Sequence, residues 1–252
     1  MSQSHHTPSK QTNGQPKIVH FVPQTFTLKP EQVARYAGGS RYKLDSKMND
    51  LALLTIDRAA DLIAPAMVYA LHPVTALSPN GTLLLQKGLS VSVPPQQQDP
   101  QTKYLAAVIC TIGPALEETC RELTKQGDLL HAVFLDAAGV SLIEAVSERA
   151  REVICQQARE KGLFVGCRFA PGYAGMPMTE QYLLFSLVPG AAIGVSLNKS
   201  MVMTPNKSLS FFVRLTSEET SSRDILKCQD CQAKDCKFRV HENYKWVRRE
   251  KE

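Results

Sequence analysis

The sequence is poor in aromatic residues and has only a small excess of positive charge. Phe, Trp and Tyr make up 7% of its 252 residues, with a single tryptophan, which argues against a stacking surface for single-stranded nucleic acid. The 29 Lys and Arg against 24 Asp and Glu give a net charge of +5, too small to indicate a nucleic-acid-binding protein. The uncharged run at residues 181–198 is interrupted by Pro189 and Gly190, so we expect no membrane-spanning helix there.

Several signals of location and catalysis are also missing. The polar amino-terminal residues have no apolar core of a secretory signal, so we expect a cytoplasmic protein whose seven cysteines are not paired in disulfides. We find no P-loop, G-x-G-x-x-G or H-E-x-x-H motif and no Ser-His-Asp set, so the corresponding enzyme classes are not indicated.

Hydrophobic residues make up 43% of the chain, enough for a substantial core. Apolar spacing predicts helices at residues 30–36, 46–64, 114–127, 129–161 and 179–186. β-Prone runs between turn residues predict strands within residues 67–93 and at 209–215. The run TKYLAAVICTIG, residues 102–113, is apolar almost all round, which favours a buried helix. Without βαβ alternation, this pattern predicts an α+β fold with a helical centre.

Composition divides the chain into three parts. Residues 1–24 are rich in Ser, Gln, Thr, Pro and Asn and are predicted to be a disordered tail. Residues 25–220 are predicted to form one domain. Residues 221–252 form a cysteine-rich, basic segment, whose Tyr244 and Trp246 we interpret as part of a solvated terminus rather than a nucleic-acid contact.

The first candidate site is the run Arg168-Phe-Ala-Pro-Gly-Tyr173. Pro171 presets its backbone and Gly172 accepts positive φ, so the pair predicts a tight turn. The turn would hold Arg168 and Tyr173 on a rigid loop, where the guanidinium can bind a carboxylate or phosphate. The alternative is an ordinary turn with a surface ion pair.

The second candidate site is Cys228-x2-Cys231-x4-Cys236, with His241 four intervening residues further on. Three thiols within nine residues of polar sequence have the spacing of metal ligands. Two metal centres fit this spacing. One is a zinc ion with His241 as its fourth ligand, and the other is an iron–sulfur cluster whose fourth ligand lies outside this motif.

Arg168-x2-Pro171-Gly172-Tyr173-x3-Pro177 resembles the signature loop of the activation domain of cobalamin-dependent methionine synthase. The cysteine motif resembles that of the family's free-standing members. Other segments similar to the family lie at residues 33–38, 64–69, 111–117, 135–139, 193–197 and 203–210. The resemblance implies a single activation-domain-like α+β fold in which the helical centre packs with an antiparallel sheet.

The resemblance also implies a function in vitamin B12-dependent methionine biosynthesis. Domains of this family bind S-adenosylmethionine and remethylate a cobalamin that has been oxidised, with an electron from a flavodoxin-like or ferredoxin-like donor. A chain without a cobalamin domain would act on a separate methionine synthase or corrinoid methyltransferase. It would therefore be an accessory component of that enzyme.

The same resemblance assigns residues to the site. Arg168 would hold the carboxylate of the cofactor, and Tyr173, which we assign as catalytic, would lie beside the cofactor and the corrin face. The further cofactor-binding residues it implies are Ala170, Pro171, Gly172, Asp136 and Glu144.

One departure from the family leaves other functions open. After the strand at residues 209–215, the cysteine segment replaces a segment that supplies cofactor contacts in fused members. The alternative function is a binding module that is stabilised by a metal bound to this segment and contacts protein or nucleic acid through it. A family member that keeps the fold only as a scaffold is a third possibility.

Overall fold

The computed structural model describes residues 14–39, 42–95, 98–173, 175–219 and 236–238. Within these ranges lie five α-helices, with the bounds α1 Pro30–Gly38, α2 Ser46–Leu62, α3 Ala115–Lys125, α4 Leu129–Glu160 and α5 Glu180–Leu187. The described residues also form nine strands, with the bounds β1 Lys17–His20, β2 Ala66–Leu77, β3 Thr82–Leu85, β4 Ser90–Ser92, β5 Thr102–Thr111, β6 Phe164–Phe169, β7 Ser196–Leu197, β8 Met203–Thr204 and β9 Ser208–Thr216.

Seven of these described strands form one antiparallel sheet in the order β4-β3-β2-β5-β9-β6, with β1 also paired to β2. β7 and β8 form a separate two-stranded hairpin. This arrangement of helices and an antiparallel sheet confirms the predicted α+β class.

The sheet has a packed core on each face. Side chains alternate along a strand, so Phe211 and Val213 of β9 face one core while Phe212 faces the other. The first core lies under α1, α2, α3 and α4 and holds most of the buried helical residues. The second core lies on the opposite face of the sheet, where α5 packs with buried residues of the strands, including those of β3 and β4. The strand β5 is therefore covered on both sides.

The longest helix, α4, begins after Asp128, whose carboxylate accepts a hydrogen bond from the backbone N–H of His131 at 3.4 Å. By length and composition α4 could cross a membrane, and it is the helix among the described residues that passes that test. However, 56% of its most apolar 18-residue stretch is buried inside the protein. Since α4 packs on β5, β6 and β9, it has the pattern of a core helix.

Two predictions of secondary structure were wrong. Residues 102–111 form the strand β5 and not a helix, because an apolar run that is buried on all sides fits either structure and its periodicity cannot separate them. Residues 17–20, predicted to lie in a disordered tail, form β1 and pair with β2 from Ala66 to Tyr69. Residues 1–13 lie outside the described residues.

Candidate functional site

Arg168 lies on β6, one residue before the end of the strand, and not on the turn itself as predicted. The pairing of β6 with β9 contains a bulge. The step from Val165 to Arg168 covers three residues of β6 but only two residues of β9. Simple alternation would put Val165 and Arg168 on opposite faces, but the extra residue puts both on the helical face. The bulge therefore directs the guanidinium toward α4.

The Arg168 side chain is only 11% exposed and is held by two α4 residues. Its Nη1 donates to Ser147 Oγ at 2.8 Å, and Nη2 lies 3.0 Å from Glu148 Oε1. The guanidinium carbon also lies 5.2 Å from the ring centroid of Phe211. Glu148 is 54% exposed, so this ion pair reaches the surface. The arrangement orients the guanidinium while leaving its carboxylate partner in contact with solvent.

The predicted turn follows directly after β6. Tyr173 N donates to the carbonyl oxygen of Ala170 at 3.1 Å, and Gly172 N donates to that of Met176 at 3.0 Å. Gly172 has φ of +83°, a conformation that favours glycine. Ala170 and Pro171 are buried, whereas the Tyr173 side chain is 57% exposed. The loop thus presents an aromatic side chain at the surface from a hydrogen-bonded backbone.

Glu144 lies one helical turn before Glu148 on α4, which brings it close to the Arg168 contacts. The Tyr36 hydroxyl of α1 donates to Glu144 Oε1. Ser147 Oγ, the acceptor for Arg168, donates to the carbonyl oxygen of Glu144 at 2.8 Å. The structure therefore connects Arg168 and Glu144, two of the predicted residues, through α4.

Asp136 lies roughly 12 Å further along the α4 axis from Glu144. Its Oδ1 is 2.6 Å from the Nζ of Lys207, the residue before β9. The backbone N–H of Lys207 donates to Glu117 Oε1 of α3 at 2.5 Å. Asp136 is thus already in an ion pair that ties α4 to the start of β9, separate from the Arg168 contacts.

A shallow groove of about 540 Å³ lies between α1, α3 and α4. The lining residues are Tyr36, Cys120, Arg121, Thr124, Lys125, Leu129, Ala132, Val133 and Asp136. Burial, together with the charge of Asp136, raises the pKa of the Cys120 thiol to about 11. Cys120 is therefore a protonated, weakly reactive thiol at neutral pH. The groove joins Asp136 to Tyr36, and through Tyr36 to Glu144.

The predicted metal site falls mostly outside the described residues. Cys228, Cys231 and His241 lie there, while Cys236 is described as a half-buried free thiol. Within the described ranges no group of three or more His, Cys, Asp or Glu residues could hold a metal ion. Zinc or iron–sulfur binding stays a prediction.

Sequence reasoning missed the two residues that hold Arg168. Ser147 and Glu148 carry no motif of their own, and their only signal is their spacing of three and four residues from Glu144 on a predicted helix. Tyr36 stands in a segment similar to the family, but no role was assigned to it.

A family model described as the activation domain of vitamin B12-dependent methionine synthase matches residues 86–241. The fold is similar to a solved structure described as the MetH reactivation domain bound to AdoHcy, with a TM-score of 0.60 and 17% sequence identity. That likeness covers 88% of this chain and 84% of the other. No curated protein matches the chain.

Proposed function

We propose, since this chain belongs to the activation-domain family of vitamin B12-dependent methionine synthase, that it binds S-adenosylmethionine and reactivates the cobalamin of a separate protein. That protein would be a methionine synthase or a related corrinoid methyltransferase. The observation that carries the proposal is the Arg168 guanidinium, which is oriented at the end of β6 immediately before the Pro-Gly-Tyr loop.

Arg168 is the residue we propose for the carboxylate of S-adenosylmethionine. Glu148 is 54% exposed, so its carboxylate can be solvated by water when it leaves Arg168, whose side chain is only 11% exposed. A ligand carboxylate can take its place at Nη2, while Ser147 continues to accept from Nη1 and keeps the guanidinium plane fixed. The contacts present thus fit this group.

The loop would supply the rest of the site. The backbone of residues 170–173 would line the bound ligand, and the exposed Tyr173 would lie between the ligand and the corrin of the partner. Glu144 and Asp136 would be further polar contacts. S-adenosylmethionine would supply the methyl group, so the task of this chain is positioning rather than acid–base chemistry.

The proposal also includes partners and a location. The cobalamin belongs to the partner protein, and a flavodoxin-like or ferredoxin-like protein would supply the electron for its reduction. The protein would act in the cytoplasm.

The test is calorimetric titration of the purified full-length protein with S-adenosylmethionine, beside Arg168→Ala. We expect saturable binding by the wild type and a loss of affinity of roughly 10- to 100-fold in the variant, the value of hydrogen bonds to a charged group. Arg168→Lys keeps the positive charge but cannot make two parallel hydrogen bonds to a carboxylate. Its affinity should fall between those of the wild type and Arg168→Ala.

Arg149→Ala is the matched control, because Arg149 is an exposed α4 arginine paired with Glu152 at 2.5 Å. It should bind like the wild type. A folded wild-type protein that does not bind, or an Arg168→Ala variant with unchanged affinity, would rule out the proposed site.

A further inference from the structure

Two residues of the carboxyl-terminal cysteine segment, Lys237 and Phe238, lie against α1 and the glycine that follows it. Arg35 Nε donates to the carbonyl oxygen of Phe238 at 2.7 Å, across 203 positions of sequence. The ring centroids of Phe238 and Tyr36 are 5.6 Å apart with an interplanar angle of 37°. Gly39 accommodates this approach, since a Cβ there would lie 3.1 Å from the carbonyl oxygen of Lys237. Phe238 is therefore held by a backbone contact and a ring contact.

The ring that Phe238 contacts belongs to Tyr36, whose hydroxyl donates to Glu144. The guanidinium carbon of Arg35 lies 5.0 Å from the centroid of the same ring. Arg35 thus contacts both Phe238 and Tyr36. Because a tyrosine ring has few rotamers, the contact that fixes the ring also fixes the hydroxyl.

The contacts continue from Glu144 to the candidate cofactor site. The Glu144 carbonyl accepts from Ser147 Oγ, and Ser147 Oγ accepts from Arg168. A continuous set of contacts therefore joins Phe238, Tyr36, Glu144, Ser147 and Arg168.

We propose that Phe238 is a positioning residue that holds Tyr36 against Glu144 and thereby couples the carboxyl-terminal cysteine segment to the candidate cofactor site. The coupling to ligand affinity rests on the proposed function, whereas the positioning of Tyr36 does not. If the two are coupled, the effect is reciprocal: the docked segment strengthens ligand binding, and bound ligand strengthens docking.

The first arm of the test needs no ligand. Hydrogen exchange is measured by mass spectrometry on the full-length wild type, Phe238→Ala and Phe238→Tyr. We expect faster exchange in Phe238→Ala within α1 and in α4 around Glu144, with wild-type protection in Phe238→Tyr, which keeps the ring. Unchanged exchange in both helices, or a change confined to residues 236–238, would overturn the positioning role.

The second arm measures the affinity for S-adenosylmethionine by calorimetry. Loss of one aromatic contact predicts binding weakened roughly three- to tenfold in Phe238→Ala and restored in Phe238→Tyr. Addition of S-adenosylmethionine to the wild type should slow exchange at residues 236–238. The matched control is Phe164→Ala, which removes a 46% exposed phenylalanine at the start of β6 and should leave affinity and α1 exchange unchanged.

The outcomes separate the two proposals. If the wild type fails to bind S-adenosylmethionine, the proposed function fails, and the exchange arm still decides whether Phe238 positions Tyr36. If Phe238→Ala exchanges faster but binds S-adenosylmethionine as tightly as the wild type, the contact is structural and the coupling is overturned.

Discussion

Two arginines on neighbouring strands of the same sheet have opposite surroundings. Arg214 of β9 is 1% exposed on the face opposite α1–α4, with Nη1 3.2 Å from Asp99 Oδ2, and Asp99 is itself only 15% exposed. Burial lowers the pKa of the Arg214 guanidinium, and Asp99 opposes that shift. Arg168 of β6 faces the helices, and its acidic partner is 54% exposed.

The two pairs differ in whether a ligand carboxylate can replace the acidic residue beside the arginine. Withdrawing Asp99 would leave a charge enclosed by protein, which is costly, so the Arg214 pair fixes the fold. Glu148 can move into solvent without burying its own charge, so this pair can give way to a ligand carboxylate that takes over Arg168. The exposure of the carboxylate distinguishes the two regions, since both arginines are themselves largely buried.

Asp99→Ala should give the largest effect on stability, because it removes the buried ion pair between Asp99 and Arg214. We expect a loss of about 3 kcal/mol in the free energy of unfolding, because Arg214 stays buried without this carboxylate. Urea denaturation measures it, and the affinity of the folded fraction for S-adenosylmethionine should not change. The exposed α2 residue offers the control Asp57→Ala, which should cost little. A loss as small as the control's would show that the buried pair is not structural.

Ser147→Ala should have an intermediate effect, because it removes the buried acceptor of Arg168 Nη1. We expect a stability loss of about 1–2 kcal/mol and an affinity for S-adenosylmethionine about two- to fivefold weaker. Ser141→Ala is the matched control, as Ser141 is equally buried on α4 but bonds to the carbonyl oxygens of Gln32 and Ala137. Equal affinity in the two variants would show that Ser147 does not orient the guanidinium for binding.

Glu148→Gln should leave the free energy of unfolding, measured by urea denaturation, within about 0.5 kcal/mol of the wild-type value. Its affinity for S-adenosylmethionine should instead rise about threefold, since the ligand carboxylate no longer displaces a negative charge from Arg168. Glu152→Gln, at a similarly exposed position paired with Arg149, should change neither quantity. Weaker binding by Glu148→Gln would mean that Glu148 orients Arg168 rather than competing at it.

The sequence predicts the parts of this molecule that depend on local signals. The long apolar stripe of α4 and the Pro171-Gly172 turn were predicted and are confirmed. The strand β5 was missed because its burial comes from β2 and β9, which are distant in sequence. The Asp99–Arg214 pair spans 115 positions and has no local pattern at either end.

The candidate site divides in the same way. The order of residues around Pro171 and Gly172 drew attention to Arg168, but its direction depends on a bulge that forms only when β6 pairs with β9. The contact between Phe238 and Tyr36 is likewise a product of the folded chain. Whether Asp136, Glu144 and the loop residues bind a cofactor stays a prediction.

The bulge in β6 also affects how readily another strand could pair with this edge of the sheet. A sheet that ends in a straight, unpaired strand offers a template for another strand, which leads to aggregation. Here one side of the sheet ends in the short strands β4 and β1, and the other side ends in β6, whose regular spacing is broken between Val165 and Arg168. The irregularity that directs Arg168 toward α4 thus also makes that edge a poor surface for intermolecular strand addition.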